Sequence, residues 1–250
     1  MVLRDLVWNS LIFNRYFGPE FAIPNNRMST WIPSSRDRFT PPDFSFLSAI
    51  LAPGGERRHL WTLWEDPDAL REMLDLKEVL RALLDSTSAL SVSPAFYFYV
   101  LVRHSFLEAG ITDPGMADYV AGVMVQRLAS DTGDPLRSLP AGLTHAADFV
   151  AILESAQGRM RFHLQLEAGN QFLVLTGLFP GFLTRRCQRR GAPGVEFYED
   201  FARRAFRDAA DSRSAPQDAP RRLLGELAES LPTARLSLNK MAEEFVFLGD

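Results

Sequence analysis

The sequence predicts an all-α fold: an irregular single-domain bundle of about nine to eleven helices with a Pro-rich irregular arm near its start. Three observations carry this. From Phe44 onward, apolar residues recur at every third or fourth position with few interruptions, the period of helices that turn one face inward. Three steps, Asp66-Pro67, Ser93-Pro94 and Asp113-Pro114, place an N-cap side chain before a proline at the first helical position, where the missing N–H is no loss. Finally, strand signals are poor and no repeat of roughly 30 to 50 residues is present, which argues against sheets and solenoids.

The elements follow in order. Leu3, Leu6, Val7, Leu11, Ile12 and Phe17 line one face of a first amphipathic helix over 2–17, expected to dock on the core. Residues 18–44 hold Pro24, Pro33, Pro41 and Pro42 and form the arm, pinned to the body by Trp31 and Phe39. Helices are expected over 67–76 and 77–85. The next opens at Pro94, runs through the apolar AFYFYVLVRHSFLEA and ends at Gly110, a natural C′ residue. After Pro114, a buried face is marked by Met116, Tyr119, Val120, Val123, Met124 and Leu128. Residues 130–143 read as a loop, and Ala146–Gln157 as a helix that Gly158 breaks.

A helix of about five turns over Arg161–Leu183 comes next, ended or kinked at Pro180-Gly181. The run GAPG at 191–194 is a turn. Residues 195–210 form a helix with Phe197, Phe201, Ala205 and Ala209 inside. Its outer face pairs Glu199 with Arg203, Asp200 with Arg204 and Arg204 with Asp208. A mobile polar linker over 211–219 leads to two closing helices, 220–231 and 233–247.

With 250 residues, 46% of them hydrophobic, the chain has ample length for a core, and one domain over 1–250 is the expectation. Its net charge of −4 argues against a dedicated nucleic-acid binder. The single cysteine, Cys187, excludes an intramolecular disulfide and a cysteine-based zinc site. Asp5 and Asn9 interrupt the first apolar run, which reads poorly as a signal peptide, and no run has the roughly 18 apolar residues of a membrane span. A cytoplasmic protein is expected.

Two polar stripes cross the most apolar helices. His163, Glu167 and Asn170 stand at i, i+4, i+7, within roughly 60° of one another at about 100° per residue. Tyr97, His104 and Glu108 stand at i, i+7, i+11, within roughly 40°. Each stripe contains a His-x-x-x-Glu pair. Imidazole and carboxylate one turn apart can hold a metal or act as base and orienting group. On facing helices His104, Glu108, His163 and Glu167 would supply two nitrogens and two carboxylates to a divalent metal, with Tyr97 and Asn170 as supporting donors. The competing readings are a solvated helix surface and a core hydrogen-bond network. His145 and Asp148 read as an N-terminal cap, and His59 has no spaced partner.

The run TRRCQRRG brings together Arg185, Arg186, Arg189 and Arg190, an anion or nucleic-acid patch or an answer to the helix dipole. No Gly-x-Ser-x-Gly, Walker or Gly-x-Gly-x-x-Gly motif occurs. The functional expectation is a non-enzymatic helical protein that binds another protein or its own copy. The alternatives are the His/Glu pocket between the helices at 94–109 and 161–179 holding a metal or small ligand, with or without catalysis, and anion or nucleic-acid binding through the arginine patch at 185–207.

Overall fold

The computed structural model describes residues 33–52, 66–85, 91–128, 150 and 153–245. Among these, every regular element is helical, as expected: one 3-10 turn (Arg36–Arg38) and nine α-helices, with no strand. We number the helices α1 (Pro41–Leu51), α2 (Pro67–Leu74), α3 (Lys77–Asp85), α4 (Pro94–Glu108), α5 (Pro114–Leu128), α6 (Gly158–Leu178), α7 (Pro180–Arg190), α8 (Val195–Asp211) and α9 (Arg221–Phe245). None of them is long and apolar enough to cross a membrane. The sequence-predicted helices over 2–17 and 146–157, Trp31, His59, His145 and Asp148 fall wholly or mostly outside the described residues. The helices divide into two units, Met1–Ala129 with Phe245–Asp250, and Ser130–Glu244.

In the first unit α4 is the central element. It is apolar around its whole circumference, so it needs neighbours on all sides. Phe96, Leu101 and Phe106 have no exposure, and full burial of such side chains contributes about 1.5–3 kcal/mol each. The three expected proline starts are present. Asp66 accepts from the N–H groups of Asp68 and Ala69, Ser93 from that of Phe96, and Asp113 from that of Gly115. Gly110 has φ +83° and ends α4, where Ile111 N–H returns to the Phe106 carbonyl at 2.8 Å.

The arm departs from its sequence reading. Pro41 and Pro42 open α1 instead of prolonging an irregular segment. Proline suits the first turn, and Asp43, at the third helical position, reaches back to the Thr40 N–H at 2.6 Å to complete a capping box. Residues 33–36 lie along α5. There Asp118 accepts from Ser34 Oγ and from the N–H groups of Ser35 and Arg36 at 2.7–2.9 Å. Phe39 does pin this segment, with its ring edge-on to Phe96 and Tyr99 at 5.3 and 5.7 Å.

The second unit is built on α6 packed along α8. The apolar stretch from Arg161 to Leu183 is divided between two helices, because Pro180 starts α7 rather than kinking α6. On α8 the buried stripe is Tyr198, Ala202, Ala205, Phe206 and Ala209, and Phe197 is 48% exposed. The expected Phe197–Phe201–Ala205–Ala209 line drifts about 40° per step around a helix, so it starts outside the buried face. Nor does Glu199 pair along its own helix: it meets Arg235 of α9, and Arg203 pairs with Asp200.

The two expected closing helices are one, α9, with Pro232 inside it. A proline interrupts a helix by removing one N–H and crowding the carbonyl four residues back. Here Leu224, Leu227, Leu231, Ala234, Leu238 and Met241 keep one helical phase across the proline and are all buried. That common face holds the helix continuous. Residues 212–220 form hydrogen-bonded turns, Ala215 to Ser212 and Ala219 to Pro216, with Pro216 buried.

Glycines permit close approach in both units. A Cβ on Gly169 of α6 would stand 2.7–2.9 Å from the Phe206 ring of α8, and one on Gly122 of α5 would stand 2.7 Å from the Pro33 backbone. Gly169→Ala is therefore expected to lower unfolding free energy by about 1–3 kcal/mol despite alanine's better helix propensity. Gly181→Ala, whose Cβ meets only the tip of Arg185 at 3.6 Å, should change it by less than about 1 kcal/mol. Urea unfolding followed by circular dichroism checks both.

Candidate functional site

The buried polar groups of the first unit centre on α4. Arg103 is 3% exposed and lies in phase with Phe96, Tyr99 and Phe106. Its Nε and Nη2 donate to the two Asp75 oxygens at 2.7 Å each, and Nη1 donates to the Thr112 carbonyl at 2.7 Å. This bidentate geometry satisfies the carboxylate and most of the guanidinium. It ties the end of α2 to α4 and to the turn before α5. Asp75 raises the Arg103 pKa against the opposing effect of burial, which is the largest single influence on it.

His104 is the next residue, 6% exposed, with Nε2 3.0 Å from the Leu74 carbonyl. A carbonyl only accepts, so Nε2 carries the proton and caps the C-terminal end of α2. Burial holds the ring pKa below 6.5, and the Leu74 bond and the Asp75 charge oppose that shift only in part. Tyr99 has no exposure. Its hydroxyl has no hydrogen-bond partner among the described residues, and burial pushes its pKa up to about 12.

The predicted stripe is thus unequal along its length. Tyr97 is half-buried, with its ring edge-on to Phe98, His104 is inside, and Glu108 is exposed at the last residue of α4. On α6, His163 and Glu167 are half-buried and Asn170 is 6% exposed. Burial, then the Arg159 charge, lowers the His163 pKa. The pair His104/Glu108 belongs to the first unit and His163/Glu167 to the second. Among the described residues, no three His, Cys, Asp or Glu side chains group as a metal site would require. Of the two His104 ring nitrogens, Nε2 is engaged by the Leu74 carbonyl.

The arginine patch lies on α7. Arg185, Arg189 and Arg190 are exposed and Arg186 is half-buried, its guanidinium 5.6 Å from the Phe182 ring centroid. Cys187 is exposed among them. Arg161, Gln165, Asp208, Asp211 and Ser212 line an open polar cleft of about 350 Å³ between the start of α6 and the end of α8.

Sequence reasoning missed Arg103 and its carboxylate, although a signal existed: an arginine three and four residues from Phe106 and Tyr99 stands on the innermost face of an apolar helix. Compared with known protein families, curated proteins and solved structures, the chain matches none.

Two outcomes follow. Arg103→Met is expected to cost about 3–5 kcal/mol of stability, because it strands the Asp75 carboxylate, and Arg103→Met with Asp75→Leu should recover part of that loss in a denaturant double-mutant cycle. For His104, the unfolded chain takes up a proton near pH 6.5 that the folded chain refuses. Its contribution is complete above that pH and declines as pH falls toward the lowered folded value, by up to about 1.4 kcal/mol per pH unit. His163 acts in the same direction. His104→Gln should therefore flatten, without abolishing, the slope of unfolding free energy between pH 6.5 and 5.

Proposed function

We propose that this chain works by binding protein, its own copies included, through surfaces of its helices. The observation that carries the reading is Phe197, 48% exposed on a helix whose Tyr198 and Phe206 are fully inside. Its ring stands edge-on to Tyr198 and tilted to Phe201, at 5.5 and 6.5 Å between centroids. Exposed aromatic rings and arginines are the side chains over-represented in interface centres. In the same unit Leu236 is 57% and Met160 53% exposed. The alternative role for buried His, Arg and Asp groups, chemistry on a ligand, has less support, because Arg103, His104, Asp75 and Asp118 all have partners that join helices and turns to one another.

Phe197→Ser with Leu236→Ser tests the reading. Both side chains are largely outside, so stability should change by only about 0.5 kcal/mol per site. The wild-type chain is expected to show a mass above the monomer in light scattering as concentration rises, and the double variant a weaker rise. A monomer at every concentration that also gives no cross-linked species with other proteins would overturn the proposal.

A further inference from the structure

Charge is unevenly distributed on this chain. It has 27 basic and 31 acidic side chains; set Arg185, Arg186, Arg189 and Arg190 aside and the balance is 23 against 31, a net charge of −8. Those four arginines fall within the 11 residues of α7, which has no acidic residue of its own. Arg36, Arg71, Arg103, Arg203, Arg222 and Arg235 each form an ion pair. Arg185, Arg189 and Arg190 form none among the described residues and face solvent. Two bases in the last turn would answer the helix dipole, so four exceed that need. Phe197 follows Arg190 by seven residues, across the loop 191–194 that joins α7 to α8, with the exposed Glu196 next to it in the chain.

The first unit has a surface of the opposite kind. Residues 66–85 hold six acidic and three basic side chains. Asp68, Glu72, Glu78 and Asp85 are exposed on α2 and α3, and beside them Leu76 and Leu84 are 41% and 40% exposed. One surface is cationic with an exposed aromatic ring; the other is anionic with exposed leucines. Each is open to solvent in the single chain.

We infer that the α7–α8 corner of one copy docks on the α2–α3 face of a second copy. This rests on the reading of the chain as a protein-binding one and names the surfaces. An anionic membrane fits the corner less well. Of the two large apolar residues of α7, Leu183 is 1% exposed, buried in its own unit, and Phe182 is half-buried with the Arg186 guanidinium against its ring, so α7 offers no continuous apolar face to a membrane. A long nucleic acid would meet the remaining −8 as well as the arginines, whereas a second copy brings the exposed carboxylates of Asp68, Glu72, Glu78 and Asp85. Paired charges at a rim govern salt dependence and choice of partner, while Phe197, Leu76 and Leu84 supply the apolar contact.

The test uses the full chain in sedimentation velocity between 1 and 100 μM. Wild type should associate at 50 mM NaCl, with an association constant falling at least tenfold at 300 mM, as charges are screened. R185E/R189E/R190E and D68K/E72K/E78K should each be monomeric alone and associate when mixed, since the mixture restores opposite charge. Circular dichroism confirms that each variant is folded. A mixture that stays monomeric overturns the pairing, and so does wild-type association that persists in both variants, which leaves self-association itself standing. Wild type that is monomeric throughout overturns both. Tighter arginine-dependent binding of a 20-nucleotide single strand or of phosphatidylserine vesicles than of a second copy also overturns it, in favour of that ligand.

Discussion

Asp43 has no exposed surface, yet its two oxygens accept four hydrogen bonds: from the N–H and hydroxyl of Thr40 and from the N–H and hydroxyl of Ser93. Thr40 and Ser93 are the N-caps of α1 and α4. One carboxylate therefore starts two helices, and the Ser93 hydroxyl that donates to it also accepts from Phe96 N–H at 3.1 Å. A buried carboxylate is costly without such donors, and four of them replace the water it lost. The place of α4 follows from this anchor. Only with its start fixed against α1 do Arg103 and His104 fall opposite the end of α2, where one ion-pairs and the other caps. Asp118 repeats the device, gathering the turn at 34–36 onto α5.

The second unit uses the same logic with an amide. Asn239 Nδ2 donates to the carbonyls of Thr176 and Gly177, at 2.8 and 2.6 Å, in the last turn of α6. Its oxygen accepts from Arg235, which also pairs with Glu199 of α8. One polar chain thus joins α8, α9 and the open end of α6. Beside it Gly177 lets Leu238 close in, since a Cβ there would stand 2.9 Å from Leu238 Cδ1. Polar partners fix the position along the helices, and the small residues allow the approach that apolar burial favours.

What could be read from the chain depended on how far away each partner lay. Asp66, Ser93 and Asp113 cap helices through N–H groups two or three residues on, so the local pattern sufficed. The break expected between 231 and 233, at Pro232, is absent for the opposite reason. Its local rule is strong, but the phase of Leu224, Leu227, Leu231 and Leu238 continues through it, and burial of that whole face prevails. Asp43 and Ser93 are 50 residues apart, Asp118 and Ser35 are 83 apart, and no spacing rule links such positions. Arg103 was legible in part, from its phase on α4; Asp75 as its partner was not.

His104 shows why spacing alone is a weak guide to chemistry. With Glu108 it satisfies the one-turn relation that a metal or an acid–base pair needs, but the two differ in environment: the ring is inside and the carboxylate ends the helix in solvent. The i,i+4 relation fixes the angle around a helix and says nothing about the depth at which the helix ends. The ring meets a backbone carbonyl 30 residues earlier because α2 stops at Leu74 and leaves that oxygen without a helical donor. An open helix end requires a donor, and a buried neutral imidazole supplies one without adding charge to the core. The lowered pKa of His104 fits that role, since a proton gained there would place a cation beside Arg103.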